Sequence, residues 1–324
     1  MFARTVAAML PIIPLPIVRS VSRRYIAGVT LDEAVAKVRE LNGLGYVTTL
    51  DLLGEDVTSE ADATRMTDGY VDILDRIAAE GLNSNVSVKP TNHGLMVSPE
   101  LCRANVGRIV QAAARHGNFV RIDMESSAYT QVTVDLYRDL LAEHDNVGLV
   151  LQAYLQRTEA DARALVELAK TRPVNVRLCK GIYREPRSIA FKKKLRIREN
   201  YLAVARLLLE GGVYVGLATH DRLLLGQMER WLDEKKFTAN RYEFQALLGV
   251  PVTDVLNRFV AEGRKVRLYV PYGENWYGYS TRRLRENPDM AGHVVKAMFR
   301  RTRYDWTNST PPEVKAPDNA PQNR

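Results

Sequence analysis

The chain has 324 residues, of which 46% are hydrophobic and 26% charged, a composition typical of a soluble globular protein with one large domain or two ordinary ones. The net charge of +8 suggests an anionic partner, but the Lys and Arg residues are spread along the chain and no zinc-finger, RNP-type or basic-zipper pattern is present. A mild attraction to an anionic membrane therefore fits better than binding to nucleic acid. The two cysteines, Cys102 and Cys179, form neither a disulfide framework nor a metal-binding spacing, which favours a reducing compartment.

Residues 1–30 are predicted to be an N-terminal arm, in part helical. The first 31 residues contain no Asp or Glu but carry four arginines around an apolar stretch from Ala7 to Val18. Such a leader can be a transit peptide. We favour an ordinary arm on a cytoplasmic protein, because three prolines interrupt the stretch and exclude one continuous amphipathic helix. No apolar run in the chain reaches the ~20 residues that a membrane-spanning helix needs.

Residues 31–301 are predicted to form one catalytic domain, since short β-rich runs alternate there with longer amphipathic stretches. Such alternation indicates parallel strands joined by right-handed crossovers, and eight strands can close a (β/α)8 TIM-type barrel. An open doubly wound sheet is the alternative, but no Gly-x-Gly-x-x-Gly follows the first run. Residues 302–324, rich in Pro and polar side chains, are predicted to be a disordered tail. The predicted strands are Tyr46–Leu53, Asn85–Lys89, Phe119–Asp123, Val147–Ala153, Val174–Leu178, Val213–Thr219, Tyr242–Leu248 and Val266–Val270.

Polar residues end nearly every predicted strand, and in such a barrel the active-site groups come from the C-terminal strand ends. Lys89 is interpreted as a cation beside a bound anion or ring, as a Schiff-base amine, or as the salt-bridge partner of Asp123. Gly181, after Lys180, allows a ligand to approach the backbone closely. No cluster of His, Cys or Asp has the spacing of a metal site. The other strand-end groups are Asp51, Glu55, Asp56, Glu125, Gln152, Arg177, Thr219, His220, Glu243, Gln245 and Tyr269.

Two further patterns lie outside the strand ends. In a helix, Tyr279, Arg282, Arg283 and Glu286 would share one face. Taken alone this quartet is more typical of a solvated helix face, but two adjacent guanidinium groups also suit a planar carboxylate. The basic run at residues 191–198 is interpreted as the solvated start of the fifth crossover, with a membrane or polyanion patch as the alternative.

Taken in order, these segments resemble the proline dehydrogenases, flavoenzymes that oxidise proline to Δ1-pyrroline-5-carboxylate. The resemblance spans roughly residues 25–300 and is most specific at Lys180-Gly181-Ile182-Tyr183 and around the quartet that begins at Tyr279. It implies a distorted (β/α)8 barrel with FAD lying over the strand ends, which agrees with the fold predicted from the alternation. The other matching segments are Leu53–Val57, Ser87–Thr91, Arg121–Glu125, Leu151–Leu155, Ala218–His220, Phe244–Gln245 and Tyr269–Gly273.

The resemblance also implies roles for single residues around the substrate. Arg282 and Arg283 would hold the proline carboxylate, with Lys89 as a third cation. Glu286 would pair with an arginine and keep it aimed, and Asp123 would lie near the substrate nitrogen, paired with Lys89. The residues implied to wall the proline ring are Tyr269, Tyr279 and Leu247. The residues implied to lie along the flavin are Gln152, Arg177, Lys180, Gly181, Tyr183, Thr219 and His220.

The implied chemistry is hydride transfer from L-proline to FAD, with the electrons then passed to a quinone. A monofunctional cytoplasmic enzyme in peripheral contact with the inner face of the membrane would fit this chemistry. Arg184 stands where the family often has Trp, which bears on the local flavin packing. The alternatives are a flavin-free lyase or aldolase that uses Lys89 or Lys180 as a Schiff-base amine, and a non-enzymatic basic scaffold.

Overall fold

Eight parallel strands close into a barrel in the computed structural model, which describes residues 22–54 and 57–280. Each strand pairs with the next along the chain, and the last pairs with the first, so the predicted (β/α)8 fold is confirmed. Every predicted strand overlaps an observed one. The strands are β1 (Val47–Leu52), β2 (Ser84–Val88), β3 (Val120–Ile122), β4 (Val147–Gln152), β5 (Asn175–Cys179), β6 (Tyr214–Ala218), β7 (Tyr242–Leu247) and β8 (Val266–Tyr272).

Helices connect the strands and cover the outside of the barrel. Their starts follow local chemistry: Thr30 and Glu33 form a capping box at the first helix, and Ser59, Ser98 and Asp221 accept backbone hydrogen bonds as N-caps of later ones. Two short 3₁₀ turns cover Pro90–His93 and Ser127–Tyr129. The α-helices are α1 (Leu31–Gly43), α2 (Glu60–Ala79), α3 (Pro99–Arg115), α4 (Thr130–Glu143), α5 (Thr158–Leu168), α6 (Lys194–Glu210), α7 (Arg222–Glu234) and α8 (Thr253–Ala261).

Closure of the barrel depends on the β1–β8 pair. This pair runs in register over six positions, from Val47 opposite Arg267 to Leu52 opposite Tyr272. The chain before α1 extends this seam, because the amide of Ala27 donates to the carbonyl oxygen of Pro271 at 2.9 Å. The end of the predicted arm thus packs on the barrel. Residues 1–21 of the arm and the predicted tail at 302–324 lie outside the described residues, and the proposed domain limits stay a prediction.

The two faces of the strands differ in polarity. Residues that point outward, such as Leu50, Val86 and Ile122, are fully buried against the helices in one large apolar core. Many residues on the inward face are polar, such as Ser87 in β2 and Lys89 directly after it. Inward placement follows from contacts between strands that are not neighbours, which can meet only across the barrel interior. This polar interior continues to the C-terminal ends of the strands, where the candidate site lies.

Candidate active site

A cavity of about 260 Å³ opens at the C-terminal ends of the strands. All eight strands, or the residues directly after them, contribute to its lining. Every residue for which the resemblance implies a role lines this cavity, except Arg282, Arg283 and Glu286, which lie outside the described residues. Glu243, predicted as a strand-end group, is instead the second residue of β7 and does not line the cavity. The fold thus brings together side chains that are far apart in the sequence. The predicted residues that line the cavity are Lys89, Asp123, Gln152, Arg177, Lys180, Gly181, Tyr183, Thr219, His220, Leu247, Tyr269 and Tyr279.

Lys89 is the centre of a charged cluster on the cavity floor. Its Nζ lies 2.7 Å from Asp51 Oδ1 and 3.4 Å from Asp123 Oδ2, and it donates to the Tyr269 hydroxyl oxygen at 3.1 Å. The Tyr269 hydroxyl in turn donates to Asp123 Oδ2 at 2.7 Å. On the other side of Asp123, Arg177 Nη1 lies 2.7 Å from Oδ1. Two cations and two anions therefore share one connected network.

The position of Lys89 follows from the local sequence. Proline disfavours a helical conformation in the residue before it, and Lys89, before Pro90, is extended with φ −106° and ψ 121°. The chain then turns at once, because the amide of Asn92 donates to the Lys89 carbonyl oxygen at 2.9 Å. As a result β2 stops at the rim, and the lysine side chain reaches over the floor.

Asp51 is a partner of Lys89 that the sequence reasoning did not assign. Asp123 was the expected salt-bridge partner, yet the contact with Asp51 is shorter by 0.7 Å, from 2.7 and 3.4 Å. Asp51 is fully buried, and the Tyr70 hydroxyl of α2 donates to its Oδ1 at 3.3 Å. The short contact with Asp51 holds the Lys89 ammonium to β1. The longer contact with Asp123 is the one that another anion can replace.

The charge states of the cluster follow from this geometry. Burial alone would lower the pKa of Lys89, but the carboxylates of Asp51 and Asp123 outweigh it, and the pKa is raised above 10.5. Burial would raise the pKa of Asp123, but Lys89 and Arg177 hold it below 3.8. Burial dominates at Asp51 and raises its pKa in spite of Lys89. At neutral pH Lys89 is an ammonium and Asp123 a carboxylate.

Hydrogen bonds from uncharged donors hold the part of the cavity wall that follows β3 and β4. Glu125 accepts from the backbone amide of Thr91 at 3.1 Å and from its hydroxyl at 2.6 Å. The amide nitrogen of Gln152 donates to the Glu125 carbonyl oxygen at 2.8 Å, which aims the Gln152 side chain across the strand ends. Gln152 is therefore held in place before any ligand binds.

The backbone at Gly181 passes close to the ring of Tyr154. Its φ is +98°, and a Cβ there would lie 2.1 Å from the Tyr154 ring, so a side chain would be excluded on both counts. The neighbouring Lys180 Nζ lies 3.3 Å from Asp221 Oδ2, an oxygen that Arg198 Nε also approaches at 2.8 Å. Asp221 thereby ties the end of β5 to the start of α7.

A second, basic cavity of about 520 Å³ adjoins the first one. Lys180, Gly181 and Ile182 line both cavities, so the two are continuous along this stretch of backbone. The second cavity adds three cations and one carboxylate to that shared wall. Its remaining lining residues are Arg184, Lys194, Ile197, Arg198 and Asp221.

Other regions of the molecule offer less chemistry. A groove of about 450 Å³ between α1 and α8 is mainly apolar, and its charged pair, Lys37 and Glu40, lie 2.5 Å apart. In residues 22–54 and 57–280, no three His, Cys, Asp or Glu side chains are grouped to hold a metal ion. Over the same ranges, no helix has the length and apolarity needed to cross a membrane.

Comparison with known proteins assigns the family. A sequence model described as proline dehydrogenase matches residues 34–296. The chain belongs to the proline dehydrogenase family. Proline dehydrogenase 2 of Bacillus subtilis is 36% identical over 283 residues, covering 87% of this chain and 92% of its relative. The proline dehydrogenase of Deinococcus radiodurans is 34% identical over 286 residues, covering 87% and 91%.

The solved structures agree on the architecture. Proline utilization A from Bdellovibrio bacteriovorus, inactivated by N-propargylglycine, matches with a TM-score of 0.78 and 24% identity over 83% of this chain and 33% of its own. At that identity the match supports the fold alone. The family assignment makes the chain an enzyme, an oxidoreductase of proline catabolism, and the family is flavin-dependent.

Several residues that build the site were missed or left without a role by sequence reasoning. Ser87, which donates to Asp123 at 2.7 Å, and Gln245, which accepts from Arg177 at 2.6 Å, both lie inside strands. A signal was present: polar residues two apart within a predicted strand, such as Ser87 and Lys89, mark the inward face of a barrel. Asp51, already predicted as a strand-end group, has the same spacing from Thr49, which would have assigned it to the inward face.

Proposed function

We propose that the chain oxidises L-proline to Δ1-pyrroline-5-carboxylate, with bound FAD as the cofactor and a quinone as the electron acceptor. The observation that carries the proposal is the cavity at the strand ends, in which Lys89, Asp123, Arg177 and Tyr269 converge in a chain of this family. The family supports proline oxidation; the cofactor, acceptor and residue roles are our proposal.

The two continuous cavities fit a flavin dinucleotide. The first has apolar walls, with Val150, Ala218 and Ala246 beside a polar floor, as a flat ring system requires. The second has the cations that a diphosphate requires, and Gly181 keeps the passage between them free of a side chain. When bound, FAD supplies the hydride acceptor. Gln152, Lys180, Tyr183, Thr219 and His220 are proposed to contact it, together with Arg177.

Lys89 is proposed to bind the carboxylate of proline. Its ammonium has three N–H donors, and in the structure these face Asp51, Asp123 and the Tyr269 hydroxyl. The 3.4 Å contact with Asp123 is the weakest, so a substrate carboxylate can replace it without disturbing the short bond to Asp51. Tyr269, Tyr279 and Leu247 would then enclose the apolar ring.

Asp123 is proposed to orient neighbouring groups rather than to take the proton of the amine. Its two oxygens already accept from Ser87, Arg177 and Tyr269, and its lowered pKa makes it a weak base. The cations around it disfavour a protonated substrate nitrogen, which must lose its proton before hydride can leave the adjacent carbon. Asp123 therefore keeps Arg177 and Tyr269 in place beside the substrate.

Arg282 and Arg283 are proposed to complete the carboxylate site, with Glu286 aiming one of them. This assignment rests on the family motif, since all three lie outside the described residues. Arg282→Lys should raise KM for proline at least tenfold while the purified protein keeps its flavin, because an ammonium cannot form two parallel bonds to a carboxylate, a loss of ~1.5–3 kcal/mol. Arg285→Lys is the matched control, and equal KM values in the two variants would contradict the assignment.

The flavin-free alternative, a lyase that forms a Schiff base, requires a neutral amine. The raised pKa of Lys89 opposes that role, and Lys180 is held in an ion pair with Asp221. Treatment with borohydride in the presence of substrate should therefore leave no covalent adduct on either lysine.

The decisive experiment is anaerobic mixing of the purified protein with L-proline. We expect a yellow protein whose visible flavin absorbance bleaches on mixing, with pyrroline carboxylate formed in equal amount, and we expect D-proline to leave the colour unchanged. A colourless protein after supply of FAD, or a colour that proline does not bleach, would overturn the proposal. Reoxidation by a soluble quinone, measured against oxygen, tests the electron acceptor separately.

A further inference from the structure

Gln245 joins two charged side chains inside the barrel. Its amide oxygen accepts from Arg177 Nε at 2.6 Å, and its amide nitrogen donates to Glu243 Oε1 at 2.5 Å. Only one orientation of the amide satisfies both partners, because an arginine N–H can only donate and a carboxylate can only accept. A flipped amide would face each partner with the wrong atom. The two charges therefore fix the orientation of the Gln245 side chain.

Gly216 provides the space in which the Gln245 side chain lies. In the strand register, Gly216 of β6 stands opposite Arg177 of β5 on one side and opposite Glu243 of β7 on the other. Residues in register point to the same face of a sheet, so a side chain at position 216 would enter the barrel between the two charges. A Cβ there would lie 2.3 Å from Gln245 Nε2 and 2.8 Å from Gln245 Cδ. The glycine thus leaves room for one amide to connect the two charges.

The guanidinium of Arg177 has four neighbours that hold it. Besides the bond from Nε to Gln245, Nη1 donates to Asp123 Oδ1 at 2.7 Å and to Ser87 Oγ at 3.2 Å. Its Cζ lies over the Tyr269 ring, 5.2 Å from the ring centroid. In the part of the chain that the structure describes, no acceptor bonds to the remaining nitrogen, Nη2, and Arg177 lines the cavity. The two N–H groups of Nη2 are therefore left for a ligand.

The bond to Gln245 is the one that sets the direction of Nη2. Asp123 and Ser87 both accept from Nη1, and bonds to a single nitrogen leave a planar group able to swing about that nitrogen. A bond at Nε, on a different edge of the plane, removes this freedom. Nη2 of Arg177 then points in one direction before any ligand binds.

We propose that Gln245 is a positioning residue: seated against Gly216 and anchored on Glu243, it aims the Nη2 group of Arg177 at the ligand in the cavity. The identity of that ligand rests on the proposed function, in which Arg177 contacts bound FAD. A cation held beside the ring system stabilises the negative charge that the flavin gains on reduction. Loss of the Gln245 contact should therefore lower the midpoint potential of the bound flavin.

Removal of the Gln245 amide should leave the barrel folded. Glu243 would keep its ion pair with Arg267 at 2.6 Å and would still accept from the Tyr214 hydroxyl at 3.1 Å. Arg177 would keep its own carboxylate partner at 2.7 Å. Because no buried charge loses its counter-charge, the effect falls on the orientation of the guanidinium and not on folding.

The first measurement is hydrogen exchange of the Arg177 Nε–H in the purified full-length protein, without substrate. NMR with isotope-labelled arginine follows the exchange, and Arg177→Lys assigns the signal. Gln245→Met keeps the length of the side chain but removes both amide bonds, so exchange should be at least tenfold faster than in the wild type. Gly216→Ala leaves the glutamine in place but displaces its amide, and it should speed exchange in the same way.

The second measurement is the midpoint potential of the bound flavin, by equilibrium titration against a reference dye without proline. Gln245→Met and Gly216→Ala should each shift the equilibrium about tenfold toward the oxidised form, which is about 30 mV for two electrons. The double variant should shift it no further than either change alone, because both break the same contact. Additive shifts would contradict the proposal.

The matched control for the glutamine is Gln131→Met. Gln131 also accepts from an arginine, Arg157 at 2.7 Å, and donates to an acid, Asp135 at 2.9 Å, but it is exposed on α4. Gly226→Ala in α7 is the control for the glycine, since no atom lies within 4 Å of the added Cβ. Both control variants should match the wild type in both measurements.

The outcomes separate this proposal from the proposed function. Unchanged exchange of the Arg177 Nε–H in both test variants, or equal changes in test and control variants, would overturn the role of Gln245. Faster exchange with an unchanged midpoint potential would overturn the aiming of Arg177 at the ligand. A protein that binds no FAD would overturn the proposed function instead, and hydrogen exchange would still decide whether Gln245 holds Arg177.

Discussion

The barrel interior holds two buried charge clusters that use the same residue types in different ways. The upper cluster, Asp51, Lys89, Asp123 and Arg177, lies at the strand ends. The lower cluster, Arg121, Glu243 and Arg267, fills the middle of the barrel. In the lower cluster Glu243 and Arg267 are closed to solvent, with side chains 2% and 10% exposed and 2.6 Å apart. In the upper cluster the Lys89 side chain is 29% exposed through the cavity.

The difference in access to solvent separates the structural role of the lower cluster from the ligand-binding role proposed for the upper one. Arg267 donates to Glu243 and to the Thr48 carbonyl oxygen, and Arg121 donates to the carbonyl oxygens of Leu149 and Asn175. No group of the lower cluster lines the cavity. Lys89, by contrast, has one long contact that a ligand can replace. A buried charge network supports binding only where one of its members can exchange its partner.

The two clusters are also connected. Arg177 Nε donates to Gln245 Oε1 at 2.6 Å, and Gln245 Nε2 donates to Glu243 Oε1 at 2.5 Å. The lower cluster therefore positions the guanidinium of Arg177 from beneath. Glu243 is a carboxylate at neutral pH. Burial would raise its pKa, but the charge of Arg267 outweighs burial and lowers the pKa to about 2.

The largest expected effect comes from breaking the lower cluster. Glu243→Gln keeps the size of the side chain but leaves Arg267 buried without a counter-charge, so the free energy of unfolding should fall by ~3–5 kcal/mol in urea titrations. Asp254→Asn is the control, because Asp254 pairs with Arg222 at the surface and its loss should cost ~1 kcal/mol or less. Equal losses in the two variants would show that the lower cluster is not a structural element.

A smaller effect, on activity, is expected in the upper cluster. Lys89→Met should lower kcat/KM for proline about 100-fold, since one charged hydrogen bond of ~1.5–3 kcal/mol to the substrate is lost. The change also leaves Asp51 buried without its cation. Adding Asp51→Asn should recover stability in thermal unfolding without recovering kcat/KM. Recovery of both would assign Lys89 a purely structural role, and Lys235→Met controls for loss of a lysine.

The smallest effect concerns pH and His93, which is buried beside this floor. Burial, and then the charge of Lys89, lower the pKa of His93 from 6.5 to about 3. Below pH 6.5, His93 is therefore protonated in the unfolded chain but stays neutral in the folded chain. The free energy of unfolding consequently falls as the pH drops below 6.5. Between pH 7 and pH 5 the loss should be about 2 kcal/mol in the free energy of unfolding.

His93→Gln should remove this pH dependence even though it lowers stability at neutral pH, because the ring packs against Tyr70. His116→Gln is the control: His116 lies at the surface beside Asp75, and its removal should leave the pH dependence in place. A steep decline that persists in His93→Gln would assign the effect to other groups.

Much of the fold could be predicted, because strand and helix periodicities are local properties of the chain. The predicted run Val147–Ala153, for example, differs from β4 by one residue. Most residues that line the mouth of the barrel could also be predicted, since parallel strands in a barrel place their C-terminal ends together. The predicted ion pair of Lys89 with Asp123 is present at 3.4 Å, but Lys89 has a second and shorter contact, at 2.7 Å, with Asp51, 38 residues away. Both carboxylates stand at strand ends, and only their distances distinguish them.

The amino-acid sequence by itself determined the family, the eight-stranded barrel and the positions that line its mouth, because each follows from local patterns and ordered motifs. The tertiary structure decided which carboxylate lies closer to Lys89 and which glutamine links Arg177 to Glu243. Those outcomes depend on distances across the barrel between residues far apart in the chain, such as Lys89 and Tyr269, 180 positions apart. Local propensity carries no information about such distances.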